Sequence, residues 1–275
     1  MELEALLNHS RALPAMPRAV SELLAETNKE EPNPKRVAEL IGRDPALTTR
    51  VLRLSNSAFF RASRQIGNTD EAVAMLGMTH VRSLVMAAAL AASFKSVPGI
   101  DLRQFWRYSL RVAEIAKSLA GVLRQNQNNA YTAGLIHAIG ILAMHMAMPD
   151  EMSPIDMGTS ALDMKRAQAE RVYFDYCYAD VGAGMAERWQ FPPETVSALR
   201  TQIEPFEGDC YDTLGGVLHL ASWRAKAEEI QLDEQGMAAT FPDVVGLTLG
   251  LDLDSVLGKD PEDWSFSQAL SAFID

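Results

Sequence analysis

The sequence predicts an all-α protein. No stretch shows the sustained alternation of apolar and polar residues, bounded by hairpin turns, that is typical of strands. Several segments instead begin with helix-capping residues and carry apolar residues at intervals of three and four, which is the spacing of one helix face. We therefore expect a helical bundle without a sheet.

The composition is that of a soluble globular protein. Apolar residues make up 48% and charged residues 22% of the 275 residues, a length sufficient for one large domain or two small ones. The N-terminal segment lacks the basic and apolar regions of a signal peptide. Two cysteines, Cys177 and Cys210, are too few for a disulfide framework or a zinc site. We therefore expect a cytoplasmic protein.

The formal net charge of −11 is concentrated at the C-terminal end of the chain. Residues 227–275 contain eleven acidic residues and one basic residue, which leaves a net charge of −1 for residues 1–226. A strongly acidic total disfavours general nucleic-acid binding, although it leaves room for a local basic surface.

Prolines and capping residues divide the N-terminal part into helices. A proline-containing turn at residues 13–17 separates the first two helices, and a third covers residues 34–41. Asp44 and Pro45 mark the start of a fourth, because aspartate is a favoured N-cap and proline fits the first helical position.

The next helices lead to a predicted domain boundary. Thr69 or Asp70 caps a helix that Gly77 ends, and another helix covers residues 79–94. Pro98 and the glycine after it form the clearest break in the chain, so we place a subdomain boundary there.

Arginines on and after the helix that starts at Asp44 predict a basic surface. Arg50 and Arg53 are three residues apart and share one helix face, and Arg61 and Arg64 follow. Such a surface could bind a phosphate-bearing ligand, a nucleic acid or an acidic protein. The alternative is a solvated face, or one covered by the acidic C-terminal end of the same chain.

The C-terminal part is also predicted to be helical. Asp101 caps a long helix that ends at Val122, and residues 153–159 are expected to form a loop. Later helices are expected at 131–148, 160–173, 178–190, 193–203, 209–230, 241–249 and 261–273.

The segment of residues 131–148 contains no charged residue and carries two of the five histidines, His137 and His145. Its length is near the threshold for a membrane span, but two glycines, two histidines and many alanines favour a buried core helix. The two histidines are eight residues apart, about 12 Å along a helix, so they cannot chelate one ion. An aspartate after His137 would indicate a metal site, but that residue is Ala138.

Six segments, taken in order and spacing, resemble the HDOD domain, a bacterial signalling domain related to the HD metal-dependent phosphohydrolases. They are LPAMPRAVSELL, VAELIGRDPALTTRVLRLSNSAFF, AVAMLGMTHVRSLVMAAAL, FWRYSL, AGLIHAIG and DVGAGMAERWQFPPETVSALR. The resemblance covers roughly residues 10–225. It implies an N-terminal helical subdomain, residues 1–97, packed on an HD-like helical bundle, residues 98–230. An acidic C-terminal extension, residues 231–275, would follow.

The resemblance also implies that the metal site of the HD enzymes is lost. Tyr108, Ala138 and Tyr178 stand where relatives carry histidine or aspartate, and Gln202 and Ile203 stand where a pair of histidines occurs. Neutral tyrosine is a poor ligand for Mg²⁺ or Mn²⁺, and alanine is no ligand. We therefore expect no metal cofactor.

The sequence thus predicts a catalytically inactive regulatory module in bacterial signal transduction. Its vestigial pocket would consist of His137, Tyr108, Tyr178 and Ala138. It would act by binding a protein partner or a small ligand, which could carry phosphate, without nucleic acid or membrane.

Two alternatives remain. One is a phosphohydrolase or phosphodiesterase that uses another ligand set, for which Asp156, Asp163, Asp175 and Asp180 supply carboxylates, although capping or solvent exposure is the favoured interpretation of all four. The other is a receptor for a nucleotide second messenger. The arginines of the basic surface would then bind the phosphates of the messenger.

Overall fold

The structure, a computed structural model of the chain, describes residues 1–9, 18–27, 29, 31–57, 60, 64–207 and 211–258. All regular secondary structure in these residues is helical, and no strand is present among them, which confirms the all-α prediction. The described residues divide into two compact units: residues 18–95 form one, and residues 1–9 with 96–258 form the other.

The first eight helices in chain order are α1 Leu3–Leu7, α2 Arg18–Thr27, α3 Pro34–Gly42, α4 Pro45–Ser55, α5 Thr69–Ser93, α6 Leu102–Val122, α7 Gln127–Ile136 and α8 Ile139–Ala147. The next eight are α9 Pro149–Gly158, α10 Arg166–Phe174, α11 Tyr178–Arg188, α12 Pro193–Thr201, α13 Thr213–Glu229, α14 Glu234–Thr240, α15 Asp243–Leu249 and α16 Leu253–Leu257.

The smaller unit packs α2, α3 and α4 against α5. The predicted start of α4 is confirmed, since the Asp44 carboxylate accepts hydrogen bonds from the backbone of Ala46 at 2.8 Å and Leu47 at 3.1 Å. The predicted cap of α5 is wrong. Asn68 performs that role by accepting from the backbone N–H of Glu71 at 2.9 Å.

Gly77 separates two helical segments within α5, which confirms the predicted end of one helix and start of the next. Its φ of 72° lies in the left-handed region that glycine adopts at little cost, so two helical segments join there at a kink.

The larger unit is organised around α6, which packs against α7 and α13. The predicted cap is confirmed, because Asp101 accepts from the backbone of Arg103 at 2.9 Å and of Gln104 at 3.1 Å. Its buried face includes Phe105, Leu110 and Ile115, each about 1% exposed or less. Burial of this apolar face stabilises the helix more than its intrinsic propensity does.

Two segments between residues 131 and 165 differ from the prediction. The single helix expected at 131–148 is two helices, α7 and α8, separated by a turn at His137 and Ala138. The loop expected at 153–159 belongs to α9, where burial of Met152 and Ile155 outweighs the cost of Pro154 inside the helix. Correspondingly, α10 begins only at Arg166.

Both ends of the larger unit depart from the predicted boundaries of 1–97, 98–230 and 231–275. The helix α1 packs against α11, with Leu7 beside Gly184, so the first residues belong with the bundle rather than with residues 18–95. The described part of the acidic extension, residues 231–258, also packs on the bundle through α13. The helix predicted at 241–249 is α15, and the one at 261–273 lies outside the described residues.

One stretch of the described residues, Gln127–Ala147, is long and apolar enough to cross a bilayer. Since 89% of an apolar 18-residue window within this stretch is buried in the larger unit, its composition is that of a core helix pair.

Candidate functional site

The turn between α7 and α8 positions His137. The Nδ1–H of His137 donates to the carbonyl oxygen of Gly134 at 2.7 Å, which leaves the Nε2 lone pair as an acceptor. The side chain is 1% exposed, and this burial lowers its pKa to about 4. His137 is therefore a neutral imidazole at physiological pH.

Gly140 brings the N-terminus of α11 against this turn. A Cβ at position 140 would lie 2.0 Å from the carbonyl oxygen of Tyr178, so only glycine permits this approach of the two backbones. Tyr178, the first residue of α11, thereby reaches the same side of the bundle as Ala138.

A cavity of about 300 Å³ opens beside the turn, and the four residues of the predicted vestigial pocket line it together: Tyr108, His137, Ala138 and Tyr178. The Tyr108 and His137 rings are 5.4 Å apart between centroids. The Tyr108 hydroxyl donates to the carbonyl oxygen of Ser222 at 3.2 Å. Burial raises the pKa of both tyrosines, so both stay protonated and neutral.

Gln202 ties the turn to the neighbouring helices. Its side-chain N–H group donates to the carbonyl oxygens of His137 and Leu199, each at 2.9 Å. Its backbone carbonyl oxygen accepts from the Nδ1–H of His219 at 2.8 Å. The family resemblance marked Gln202 and Ile203 as replaced ligand positions, and both line the cavity.

Sequence reasoning missed the wall that α13 contributes. His219, Ser222 and Trp223 line the cavity. Their spacing of three and four residues places them on one helix face, which is the signal that could have identified them. Thr240 and Pro242, from the acidic extension, also line the cavity, and the Trp223 indole N–H donates to the Thr240 hydroxyl at 3.2 Å.

The donor set does not fit a divalent cation. Among the described residues, no group of three or more histidines, cysteines, aspartates or glutamates is arranged to hold a metal ion. Around His137, Ala138 offers no ligand, and Tyr108 and Tyr178 are neutral phenols.

The four carboxylates considered as alternative metal ligands do not form one metal site, and each has different contacts. Asp156 pairs with Arg166 at 2.6 Å, and Asp180 accepts from the backbone of Cys177 at 2.9 Å. Asp163 accepts from the Lys165 backbone at 2.8 Å and lies at the cavity, while Asp175 is an exposed residue at the end of α10.

A buried ionic network lies between α8 and α11. Arg166 is fully buried and donates to Glu170 at 2.7 Å and to Asp156 at 2.6 Å. Glu170, also fully buried, accepts from the backbone N–H of Tyr178 at 2.7 Å. His145, predicted to bond to backbone or water, donates its Nδ1–H to a backbone carbonyl, and its Nε2 lies 3.1 Å from Asp156.

Burial shifts the ionisation of this network in two directions. It lowers the pKa of His145 and raises the pKa of Glu170. The network therefore links one wall residue of the cavity, Tyr178, to α8, α9 and α10.

The predicted basic surface lies in the smaller unit. Arg50 is half-buried and donates to the carbonyl oxygen of Ala88 at 3.2 Å, and Arg64 pairs with Glu71 at 3.0 Å. Arg53 is exposed on α4, and Arg61 lies outside the described residues. Arg50 and Arg64 are therefore engaged within the chain.

The all-helical fold and the cavity lined by Tyr108, His137, Ala138 and Tyr178 agree with the class of HD-related proteins that the resemblance indicated. The HDOD domain family matches residues 13–205, and the chain belongs to this family, which confirms the resemblance.

Three relatives illustrate the similarity. A structure from Shewanella amazonensis SB2B, named as a candidate phosphohydrolase, is 29% identical, with 98% of each chain covered and a TM-score of 0.79. A structure from Marinobacter aquaeolei VT8, named as a candidate signal transduction protein, is 21% identical, with a TM-score of 0.72 over all of this chain and 61% of that one. An uncharacterized protein of Treponema pallidum (strain Nichols) is 23% identical over 190 residues. The matched region covers 68% of this chain and 37% of that relative.

Proposed function

We propose that this chain is a catalytically inactive HDOD regulatory module of bacterial signal transduction. Its cavity would bind a small ligand, and its output would be contact with a protein partner in the cytoplasm. The observation that carries the proposal is the lining of the cavity: a neutral His137 beside Ala138, Tyr108 and Tyr178, with a volume of about 300 Å³ left for a ligand.

The loss of the metal ligands argues against hydrolysis. HD-type hydrolysis requires a bound metal that lowers the pKa of a water molecule and holds the phosphate. Within the described part of the chain, no set of carboxylates and imidazoles is arranged with His137 to hold a cation. A metal-bound water could therefore not be generated beside His137 to attack the phosphate. The name phosphohydrolase was given to the Shewanella relative, and we do not transfer that activity to this chain.

A role in signalling is supported by the family and by the name of the Marinobacter relative. A nucleotide receptor built on Arg50 and Arg53 has less support, because Arg50 already donates to a backbone carbonyl. Among the described residues, no lysine or arginine lines the cavity, so a phosphate-bearing ligand would have to bind elsewhere.

Metal content and hydrolysis, measured on the same preparation, test the proposal. The protein would be purified without chelators, analysed by elemental mass spectrometry, and assayed with bis(p-nitrophenyl) phosphate and added Mn²⁺. We expect less than about a tenth of an equivalent of any transition metal, and the same background hydrolysis in wild type and His137→Ala. Near-stoichiometric metal with hydrolysis that His137→Ala abolishes would overturn the proposal.

A further inference from the structure

The cavity contains two hydrogen-bond acceptors of the same kind. His137 and His219 each use the Nδ1–H to donate to a backbone carbonyl, of Gly134 at 2.7 Å and of Gln202 at 2.8 Å. In each ring the remaining nitrogen, Nε2, carries a lone pair. Burial lowers the pKa of both imidazoles, which keeps them neutral and therefore acceptors.

The donors in the cavity are neutral hydroxyls. The Tyr178 hydroxyl remains protonated because burial raises its pKa. The Ser222 hydroxyl oxygen is buried and has no hydrogen-bond partner among the described residues.

The walls suit a flat ring. Tyr108, Tyr178 and Trp223 contribute aromatic surface, and Ile141 and Ile203 add aliphatic surface. A volume of about 300 Å³ is at the lower end of the range for ligand pockets and matches a compound of one or two rings.

The charge of the lining excludes anions. Asp163 is the one ionisable carboxylate at the described lining, and no lysine or arginine is present there. A phosphate or carboxylate placed in this cavity would lose its hydration without gaining an ion pair, which is strongly unfavourable.

We propose that the cavity binds an uncharged, planar heteroaromatic compound of one or two rings whose N–H groups donate to Nε2 of His137 and Nε2 of His219. This inference rests on the proposed function, because it names the ligand class of the same cavity. It excludes nucleotides and other phosphate esters from this place.

Three probes for each ring test the inference: adenine and cytosine as neutral bases, adenosine and cytidine as neutral nucleosides, and the 5′-monophosphates of these nucleosides as anions. The comparison of each monophosphate with its own nucleoside isolates the effect of the phosphate. Binding would be followed by intrinsic tryptophan fluorescence, to which Trp223 contributes, and by ligand-observed NMR. We expect the neutral bases to bind, and each monophosphate to bind at least about tenfold more weakly than its nucleoside.

The variant His219→Asn tests the Nε2 acceptor of His219 separately from the hydrogen bond that Nδ1–H makes. Asparagine keeps an N–H near the position of Nδ1, which preserves the bond to Gln202, but it has no equivalent of Nε2. We expect about tenfold weaker binding of the bases, the effect of one lost hydrogen bond. Lys35→Gln, exposed on α3 in the other unit, is the control and should leave binding unchanged.

A wild-type measurement covers the case in which the variant does not fold. The ¹⁵N resonances of Nε2 in His137 and His219 should shift when adenine is added.

Binding of the monophosphates as tight as that of their nucleosides would overturn the ligand class while leaving a ligand-binding cavity in place. Binding of none of the probes, or no change in His219→Asn and in the Nε2 signals, would also overturn the inference. Stoichiometric metal with hydrolysis that depends on His137 would instead overturn the proposed function.

Discussion

The Gln202 side chain donates to the carbonyl oxygen of His137 at 2.9 Å, and the Gln202 backbone carbonyl accepts from the His219 ring at 2.8 Å. One buried glutamine thus connects the turn between α7 and α8, the end of α12 and the middle of α13. The relative position of the two imidazoles therefore depends on this residue.

Gln202→Leu should lower the free energy of unfolding by about 1–3 kcal/mol, because the carbonyl oxygens of His137 and Leu199 lose buried donors. Urea denaturation followed by tryptophan fluorescence would measure the change. Gln168→Leu, on the exposed side of α10, is the matched control and should have little effect. Equal stability of Gln202→Leu and wild type would mean that the glutamine does not hold the turn.

Gly140→Ala should destabilise the larger unit strongly, because the new Cβ would lie 2.0 Å from the carbonyl oxygen of Tyr178. The collision is with backbone, so α8 and α11 must separate, and overpacking of this kind costs about 1–3 kcal/mol or more. A thermal melt would show the loss as a lower Tm.

Gly158→Ala is the matched control for that change. Gly158 also lies in a helix, but nothing lies within 4 Å of a Cβ built there. Since alanine has a higher helix propensity than glycine, we expect an unchanged or slightly higher Tm. A similar Tm for both variants would show that the close approach at Gly140 is not required.

Arg166→Met should cost about 3–5 kcal/mol, because it leaves the fully buried Glu170 without its ion-pair partner. The double variant Arg166→Met/Glu170→Gln should be more stable than Arg166→Met alone. In the double variant no charge remains uncompensated at position 170, and the amide oxygen can still accept from the Tyr178 backbone.

Urea denaturation of the three proteins at pH 7 would measure this difference. Arg36→Met, which breaks the exposed pair with Glu39, is the control and should leave stability almost unchanged. If the double variant is no more stable than Arg166→Met, the uncompensated charge is not the cause of the loss.

The sequence predicted those features that depend on neighbouring residues. The caps of α4 and α6 were identified because Asp44 and Asp101 bond to backbone N–H groups two and three positions later. The family resemblance singles out Tyr108, His137, Ala138 and Tyr178, which line one cavity, and their part in binding stays a prediction.

Features that depend on tertiary contacts were missed. The turn at His137 has no proline and no charged residue to mark it, and Gly140 shows its role only when Tyr178 of a distant helix lies against it. The wall formed by α13 and by Thr240 comes from residues far away in sequence. Propensity and spacing describe the surface of each helix, but not which surface will face another.

The burial of His137 should also make stability depend on pH. It lowers the pKa of His137 from 6.5 to about 4. Between these two pH values, His137 is protonated in the unfolded chain but remains neutral in the folded chain. This contribution to stability is therefore fully present above pH 6.5 and falls as the pH decreases towards 4. The difference between the two pKa values corresponds to about 3 kcal/mol.

His137→Asn tests this, because asparagine can replace the Nδ1–H bond to Gly134 but does not titrate. The loss of unfolding free energy between pH 7 and pH 4 should be about 3 kcal/mol smaller in the variant than in wild type. The lowered pKa values of His145 and His219 act in the same direction in both proteins and cancel in the difference. Identical pH dependence in the two proteins would mean that His137 is accessible to protons in the folded state, and the NMR titration of its ring in wild type would then give a pKa near 6.5.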